Sequence, residues 1–338
     1  MDIRSTVVSL SEAAGTSGSE SPAAELALSM LREYCPDAEI INGNVIGKFG
    51  THKEGLHSLL LDAHIDQIGF AVTYITDDGF IKIGNIGGID RRLLPAQPVV
   101  IHGCRDIKGV ICSIPPHLTN GGSEVLEMSD AAIDTGLTKE ELMSAVSIGD
   151  SVTFDVTCRD LISSRITGGA LDDRCGAASV LYTLELLKDA PLAYNVTVLF
   201  STQEEVGERG AKTGAFEIDP DIAIAVDVSF AYAVGEEESK CGYLGKGPMI
   251  GISPSLSREI SDGLINSAIA ADIPFQREIM SGLTGTNADR FSVNRCGAKA
   301  CTVSIPLRNM HTPVEVIDLT DVEQTAKLLA AYIREDKQ

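Results

Sequence analysis

The chain reads as an α/β protein, a sheet covered by helices, with a small β-rich unit inserted into it. Three observations predict this. HSLLLDAH, NVTVLFS, AIAVDV and KACTVSI are nearly continuous apolar runs, as expected of strands buried on both faces. They alternate with helical stretches such as CGAASVLYTLELLKD and LTDVEQTAKLLAAYIRED. From about residue 69 to 163 the texture changes to short alternating segments broken by Asp-Gly, Gly-Gly and Pro, the pattern of a small antiparallel barrel or sandwich.

SESPAAELALSMLREY is expected to be a helix with Ser21 as its N-cap and Pro22 at the first helical position. AEIINGNVIGKFG follows as a hairpin with Asn-Gly at its turn. HSLLLDAH is a buried central strand whose carboxyl end delivers His64 and Asp66. GFAVTYI, GFIKIGNIGG, PVVIHG and KGVICSIPP then supply the strands of the inserted unit. Its one helix, TKEELMSAV, has a capping box in Thr138 and Glu141. The expected division is therefore 1–68 with 164–338 as one domain, split by 69–163.

Composition narrows the function. At 338 residues the chain is long for one domain, and 44% hydrophobic content is ample for a packed core. A formal net charge of −21 argues against nucleic acid, which needs a basic face. No apolar run is long enough to span a bilayer. The start, MDIRSTVVSLSEAAG, lacks the features of a signal peptide, so a cytoplasmic protein is expected. The eight cysteines form no C-x-x-C pair and read as reduced, mostly buried residues; Cys175 has no base beside it in sequence to make it a nucleophile.

The informative motif is LDAHIDQIG. His64 and Asp66 stand two apart, so in extended chain both side chains leave one face. Asp172 in ALDDRCG, Glu204 and Glu205 in STQEEVG, Asp227 in AVDVSF and His311 in NMHTP join them as candidates. In a sheet of this kind ligands gather at the carboxyl ends of strands, where His64, Glu204, Glu205 and Asp227 are expected. Each residue alone has an ordinary reading: a surface Glu-Glu pair, an Asp-Asp turn, a loop histidine. Together, His64, Asp172, Glu205, Asp227 and His311 form a mixed imidazole–carboxylate set without thiolate, which suits catalytic zinc, cobalt or manganese. Five ligands exceed the need of one four-coordinate ion and suit two ions, roughly 3.5–4 Å apart, sharing a carboxylate. Two divalent ions against three carboxylates leave a net charge of about +1, which favours bound hydroxide over water. Glu204 remains free to act as general base, and Asp66 is placed to hold the His64 imidazole from behind. The glycines of GNIGG precede no helix and read as turn residues, while His102 and His117 read as structural.

DAHIDQIGF, GGIDRRL, PPH, SIGD, GGALDDRCG, STQEEVGERGA, GKGP, GTNAD and MHTPVEVID together resemble metallopeptidase family 42. These are dinuclear tetrahedral (TET), glutamyl and deblocking aminopeptidases, some labelled endoglucanase. The resemblance implies a zinc-exopeptidase, phosphorylase/hydrolase-like fold: a mixed sheet covered by helices, with a small inserted β-barrel that mediates dimerisation. It implies that His64 and Asp227 bind one metal, Glu205 and His311 the other, and that Asp172 bridges them. Glu204 is the implied base and Asp66 the residue behind His64. It further implies peptide substrates cut from the N-terminus, dimer-based homo-oligomers up to a tetrahedral dodecamer, and a cytoplasmic location. Gln67, Asn287 and Asn309 depart from the family pattern; they remove no ligand and bear on pocket lining. The residues alone leave three rivals: a related dinuclear exopeptidase or deacylase, a glycosidase using Glu204 with a second carboxylate, and a non-catalytic assembly that keeps the fold.

Overall fold

The computed structural model describes residues 1–115 and 125–334; Pro116 and His117 of the PPH segment lie outside the described residues. An eleven-stranded mixed sheet is its centre. Four parallel strands form the middle, in the order Asn195–Ser201, Ser58–His64, Ile222–Phe230 and Lys299–Arg308. The hairpin Glu39–Ile41/Asn44–Phe49 extends one side antiparallel. Glu315–Asp318, Arg165–Gly168 and Arg159–Asp160 extend the other. Met249–Ile252 branches from the last parallel strand and carries Gln276–Ile279 beside it.

The twofold periodicity of these strands explains the layers. Leu59, Leu61, Val196, Val198, Ile224, Val226, Val303 and Ile305 face one way, into a core closed by helices that include Leu171–Leu187, Arg258–Ala270 and Leu319–Ile333. Leu60, Leu199, Ala223, Ala225 and Ala300 face the other way, onto Arg209–Ile218 and Ala288–Phe291. Burying a leucine or isoleucine here contributes about 1.5–3 kcal/mol. On this second face the residues turn polar toward the carboxyl ends: His64, Ser201, Asp227, Ser229, Thr302 and Ser304 succeed the leucines and alanines. The apolar half of the face anchors helices, and the polar half floors a site.

Six further strands, from Gly69–Ile75 to Ser151–Phe154, close into a barrel around Phe70, Val72, Ile81, Ile101, Ile133 and Val152. Only four residues separate its first strand from His64, so one mouth of the barrel lies beside the strand ends.

Most expected elements are present. Asn42 and Gly43 turn the hairpin with φ of 52° and 87°, the paired left-handed geometry that favours Asn-Gly. Thr138 and Glu141 form their capping box. Ser21 differs from expectation: it is already the first helical residue, and Glu20 stands at the cap without a side-chain bond. Helices Ile3–Glu12, Arg209–Ile218 and Arg258–Ala270 were not expected. None has a side-chain cap hydrogen bond, although Asp2 and Ser257 stand at two of the caps, and Arg209–Ile218 starts after a left-handed Glu208. Among the described residues no helix is long and apolar enough to cross a membrane.

Candidate metal centre and active site

The strand ends bring the candidate residues together. His64 ends its strand, and the parallel register sets it against Ser201. Asp227 is not at a strand end: its strand runs on to Phe230, and register places Asp227 level with His64 (Ala225 pairs with Asp62). Asp172 enters from the start of Leu171–Leu187, joined to Asp173 by a cis peptide bond. Its two oxygens face two histidines. Oδ1 lies 3.0 Å from His64 Nε2, and Oδ2 lies 3.4 Å from His311 Nε2. Glu205 Oε2 lies 3.2 Å from the same His311 nitrogen. Two trios of ligand atoms are close enough to hold an ion: His64, Asp172 and Glu205, and His64, Asp173 and Asp227.

Asp66 touches His64 only at the long distance of 3.4 Å, with no directed hydrogen bond to Nδ1. Its firm partners are elsewhere. It accepts from Ser17 Oγ at 2.6 Å and from the backbone N–H groups of Glu204 and Glu205 at 3.0 and 3.2 Å. Asp66 thus ties the glutamate turn to the His64 strand.

Two further carboxylates act in the same way, and the sequence reading missed both. Asp173 accepts from the backbone of His64 and Gly176. Glu315 accepts from the backbone of Leu171 and Asp172 through Oε2 and of His311 through Oε1, so one side chain positions both members of the Asp172–His311 pair. Three site segments also contain a left-handed residue other than glycine: Ala170, Gln203 and His311, with φ between 51° and 60°. Such conformations cost about 1–3 kcal/mol each and persist where surrounding contacts fix them. The buried carboxylate clamps are those contacts.

The electrostatics call for cations. Burial opposes charge on His64, but the Asp172 hydrogen bond and the nearby Asp66 carboxylate hold its imidazole well above the ordinary value. His311, also opposed by burial, is raised to about 11 by Asp172 and Glu205. Asp172 is pulled well below its usual range despite burial, because both imidazoles favour its charged form. Asp227 and Glu204 have no imidazole in hydrogen-bond contact. Burial pushes Asp227 up to about 8 and Glu204 up to about 9; the His64 charge opposes both rises, and the Val228 N–H also opposes that of Asp227. Such a pocket has more buried acid than the protein can neutralise, and its donors are all oxygen and imidazole nitrogen. Divalent cations fit both facts, and metal binding would displace the protons these groups otherwise hold. Cys175, beside them, is fully buried with its thiol pushed well above normal by burial, so it is no nucleophile.

A cavity of about 260 Å³ opens over this group, lined by His64, Asp172, Glu204, Glu205, Asp227 and His311 and continuing to Glu278 and Met280. Glu204 is half-buried, and its carboxylate has no hydrogen bond among the described residues. Opposite, the GNIGG turn of the barrel approaches closely. Gly87 has φ of 75°, as a turn residue should, but a Cβ there would also meet Ile68 at 2.8 Å and Glu205 at 3.4 Å; one on Gly88 would meet His311 Nδ1 at 3.1 Å. These glycines are more than turn formers. Asn287 does not line the cavity: it is buried below it, donating to Asp62 and Ser201 at 2.8 Å each. Asn309 is exposed and bonds back to Val314, and Gln67 pairs with the Gly15–Ser17 segment.

Acids and imidazoles converging over the strand ends of a helix-covered sheet are the arrangement of a metal-assisted hydrolase. The chain belongs to the M42 glutamyl aminopeptidase family, whose model matches residues 43–328, and is therefore an enzyme of the aminopeptidase class. It is 30% identical over 320 residues to a lysyl aminopeptidase of Pyrococcus furiosus, covering 93% of this chain and 91% of that one. Among solved structures it is similar to aminopeptidase APDkam598 of the archaeon Desulfurococcus kamchatkensis, with a TM-score of 0.92, 34% identity and coverage of 99% and 95%. It is also similar to the TET1 peptidase of Pyrococcus horikoshii, with a TM-score of 0.86, 30% identity and coverage of 99% and 100%.

Proposed function

We propose that the protein is a dinuclear metal-dependent aminopeptidase that removes N-terminal residues from short peptides. The observation that carries this reading is the position of Asp172 between His64 and His311, one oxygen toward each. In this reading His64 and Asp227 hold one ion, Glu205 and His311 the other, and Asp172 bridges them. Zinc or cobalt suits the donor set best, and manganese is compatible. Two ions there supply Lewis acidity toward the scissile carbonyl and lower the pKa of water.

The chain's own residues do the rest. Glu204 faces the cavity without a partner, so its carboxylate takes the proton of the attacking water and passes it to the departing amine. Asp66 fixes the turn that aims Glu204, and Glu315 fixes the Asp172 and His311 backbones. Acidic groups beside the two ions are suited to hold the free ammonium of a peptide. We also assign 1–68 and 164–338 to catalysis and 69–163 to assembly. The P. horikoshii peptidase is described as assembling into a tetrahedron or an octahedral shell, and Met143, Ile148, Leu161 and Ile162 are exposed apolar side chains of this segment that self-association would cover. A cytoplasmic location fits this reading.

The experiment is a comparison of one peptide in free, N-acetylated and C-amidated forms. An aminopeptidase cleaves the first and third and rejects the second; cleavage of the acetylated form would support the deacylase rival. Turnover that survives a chelator would support the glycosidase rival, which leaves both histidines without a task.

A further inference from the structure

The cavity over the centre is also lined by a carboxylate that is not among the candidate ligands. Glu278 belongs to Gln276–Ile279, where Arg277 and Ile279 are exposed and Glu278 turns inward. Its register partner on the neighbouring strand is Gly251. A side chain at Gly251 would collide with Thr302 Oγ1 and crowd Leu256 and Met280. The missing Cβ leaves a path over that strand, and the Glu278 carboxylate follows it to the polar floor. There Ser304 Oγ donates to Oε2 at 2.8 Å, and Ser229 Oγ donates to Oε1.

This acid differs from the others nearby. Asp66, Asp173 and Glu315 are held by backbone N–H groups and serve as clamps. Glu278 is held by two hydroxyls only, and among the described residues no lysine, arginine or histidine pairs with it. A carboxylate at a cavity floor, pinned in place and lacking a cation, is poised to receive one from outside. Burial raises its pKa and the two serines counter that rise.

The spacing fits a long side chain. Ser304 pairs with Asp227, and Ser229 lies two residues beyond Asp227, about 7 Å along the strand. The cavity that contains both the centre and Glu278 has Phe230, Met280 and Met310 among its lining residues, beside its serines and threonines. An aliphatic stem packs against these apolar side chains while its charged head reaches the acid.

We propose that Glu278 determines substrate specificity by receiving the side chain of the peptide's N-terminal residue, and that it selects lysine and arginine. This rests on the aminopeptidase reading above. Family description and relative differ here, one naming glutamyl and the other lysyl release, so the preference belongs to the residues of this pocket.

The test uses lysyl, arginyl, leucyl and glutamyl chromogenic amides with the metal-loaded enzyme. Wild type is expected to favour the lysyl and arginyl amides in kcat/KM. Glu278→Gln should lower the lysyl-to-leucyl ratio about 30-fold or more, since the cation loses its buried partner. Glu278→Asp should recover part of that ratio. A measurement independent of variant folding is inhibition of wild type by free lysine and by norleucine, its neutral analogue; lysine should bind at least tenfold more tightly. A wild-type preference for leucyl or glutamyl amides would overturn the proposal. So would a Gln variant that loses all four activities in proportion, because Glu278 would then serve the ammonium common to every substrate. No turnover of any amide would remove the aminopeptidase reading itself, a result distinct from a lost preference.

Discussion

The sheet and the barrel are built from strands of the same twofold period, yet only the sheet carries chemistry. In the barrel, alternation separates an apolar interior from solvent, and inward residues such as Phe70, Ile81 and Val152 stay apolar along the strand. In the sheet both faces are covered, so a face can change character along its length. Leu60, Ala223, Ala225 and Ala300 pack helices at one end, and His64, Asp227, Ser229 and Ser304 meet a cavity at the other. The difference shows how one rigid frame supplies both anchorage and reactive groups. The barrel contributes backbone: Gly87 and Gly88 approach Glu205 and His311 because they have no side chains.

That comparison can be broken in graded ways. The largest effect is expected from Glu204→Gln, which should lower kcat by about 100- to 10,000-fold. Metal content measured on the same sample should be unchanged, and wild-type turnover would refute the base assignment. A clamp should matter less. Glu315→Gln turns one acceptor oxygen into an NH2 donor, so it loses either the Oε2 bonds from Leu171 and Asp172 or the Oε1 bond from His311, and should weaken metal binding or kcat/KM by about 10- to 100-fold, read by metal titration and steady-state kinetics. If both held at wild-type levels, the clamp would be ornamental. The barrel's contribution should be smallest. Gly88→Ala places a methyl 3.1 Å from His311 Nδ1, and that imidazole is about a third exposed and able to yield. A loss of a few-fold in kcat/KM with unchanged melting temperature is expected; a loss as large as that of Glu315→Gln would give the barrel an equal part in the site.

Much of this organisation was legible in the sequence, for a physical reason. Strands covered on both faces must be apolar, so a histidine or aspartate within such a run, like His64 or Asp227, stands out. Residue type likewise marked Asp172, Glu205 and His311, which the fold brings within contact of one another or of His64. What escaped was work done through the backbone. Glu315 and Asp173 act by accepting main-chain N–H groups, and nothing in a carboxylate's identity tells a clamp from a surface acid. Left-handed Ala170 and Gln203 are invisible for the same reason, because neither is a residue that announces such a conformation. The Glu278 pocket needed coordinates outright: its parts come from four strands and meet only through register and a missing Cβ at Gly251.

The central claim is that Asp172 joins two cation sites on one sheet end. Metal content per chain, measured after chelation and refilling with zinc or cobalt alongside turnover of an aminoacyl amide, tests it most directly. The account predicts two ions per chain in the wild type, loss of turnover on chelation with recovery on refilling, and loss of both ions in Asp172→Ala. A single ion at full activity, or an Asp172→Ala protein that keeps two, would contradict it.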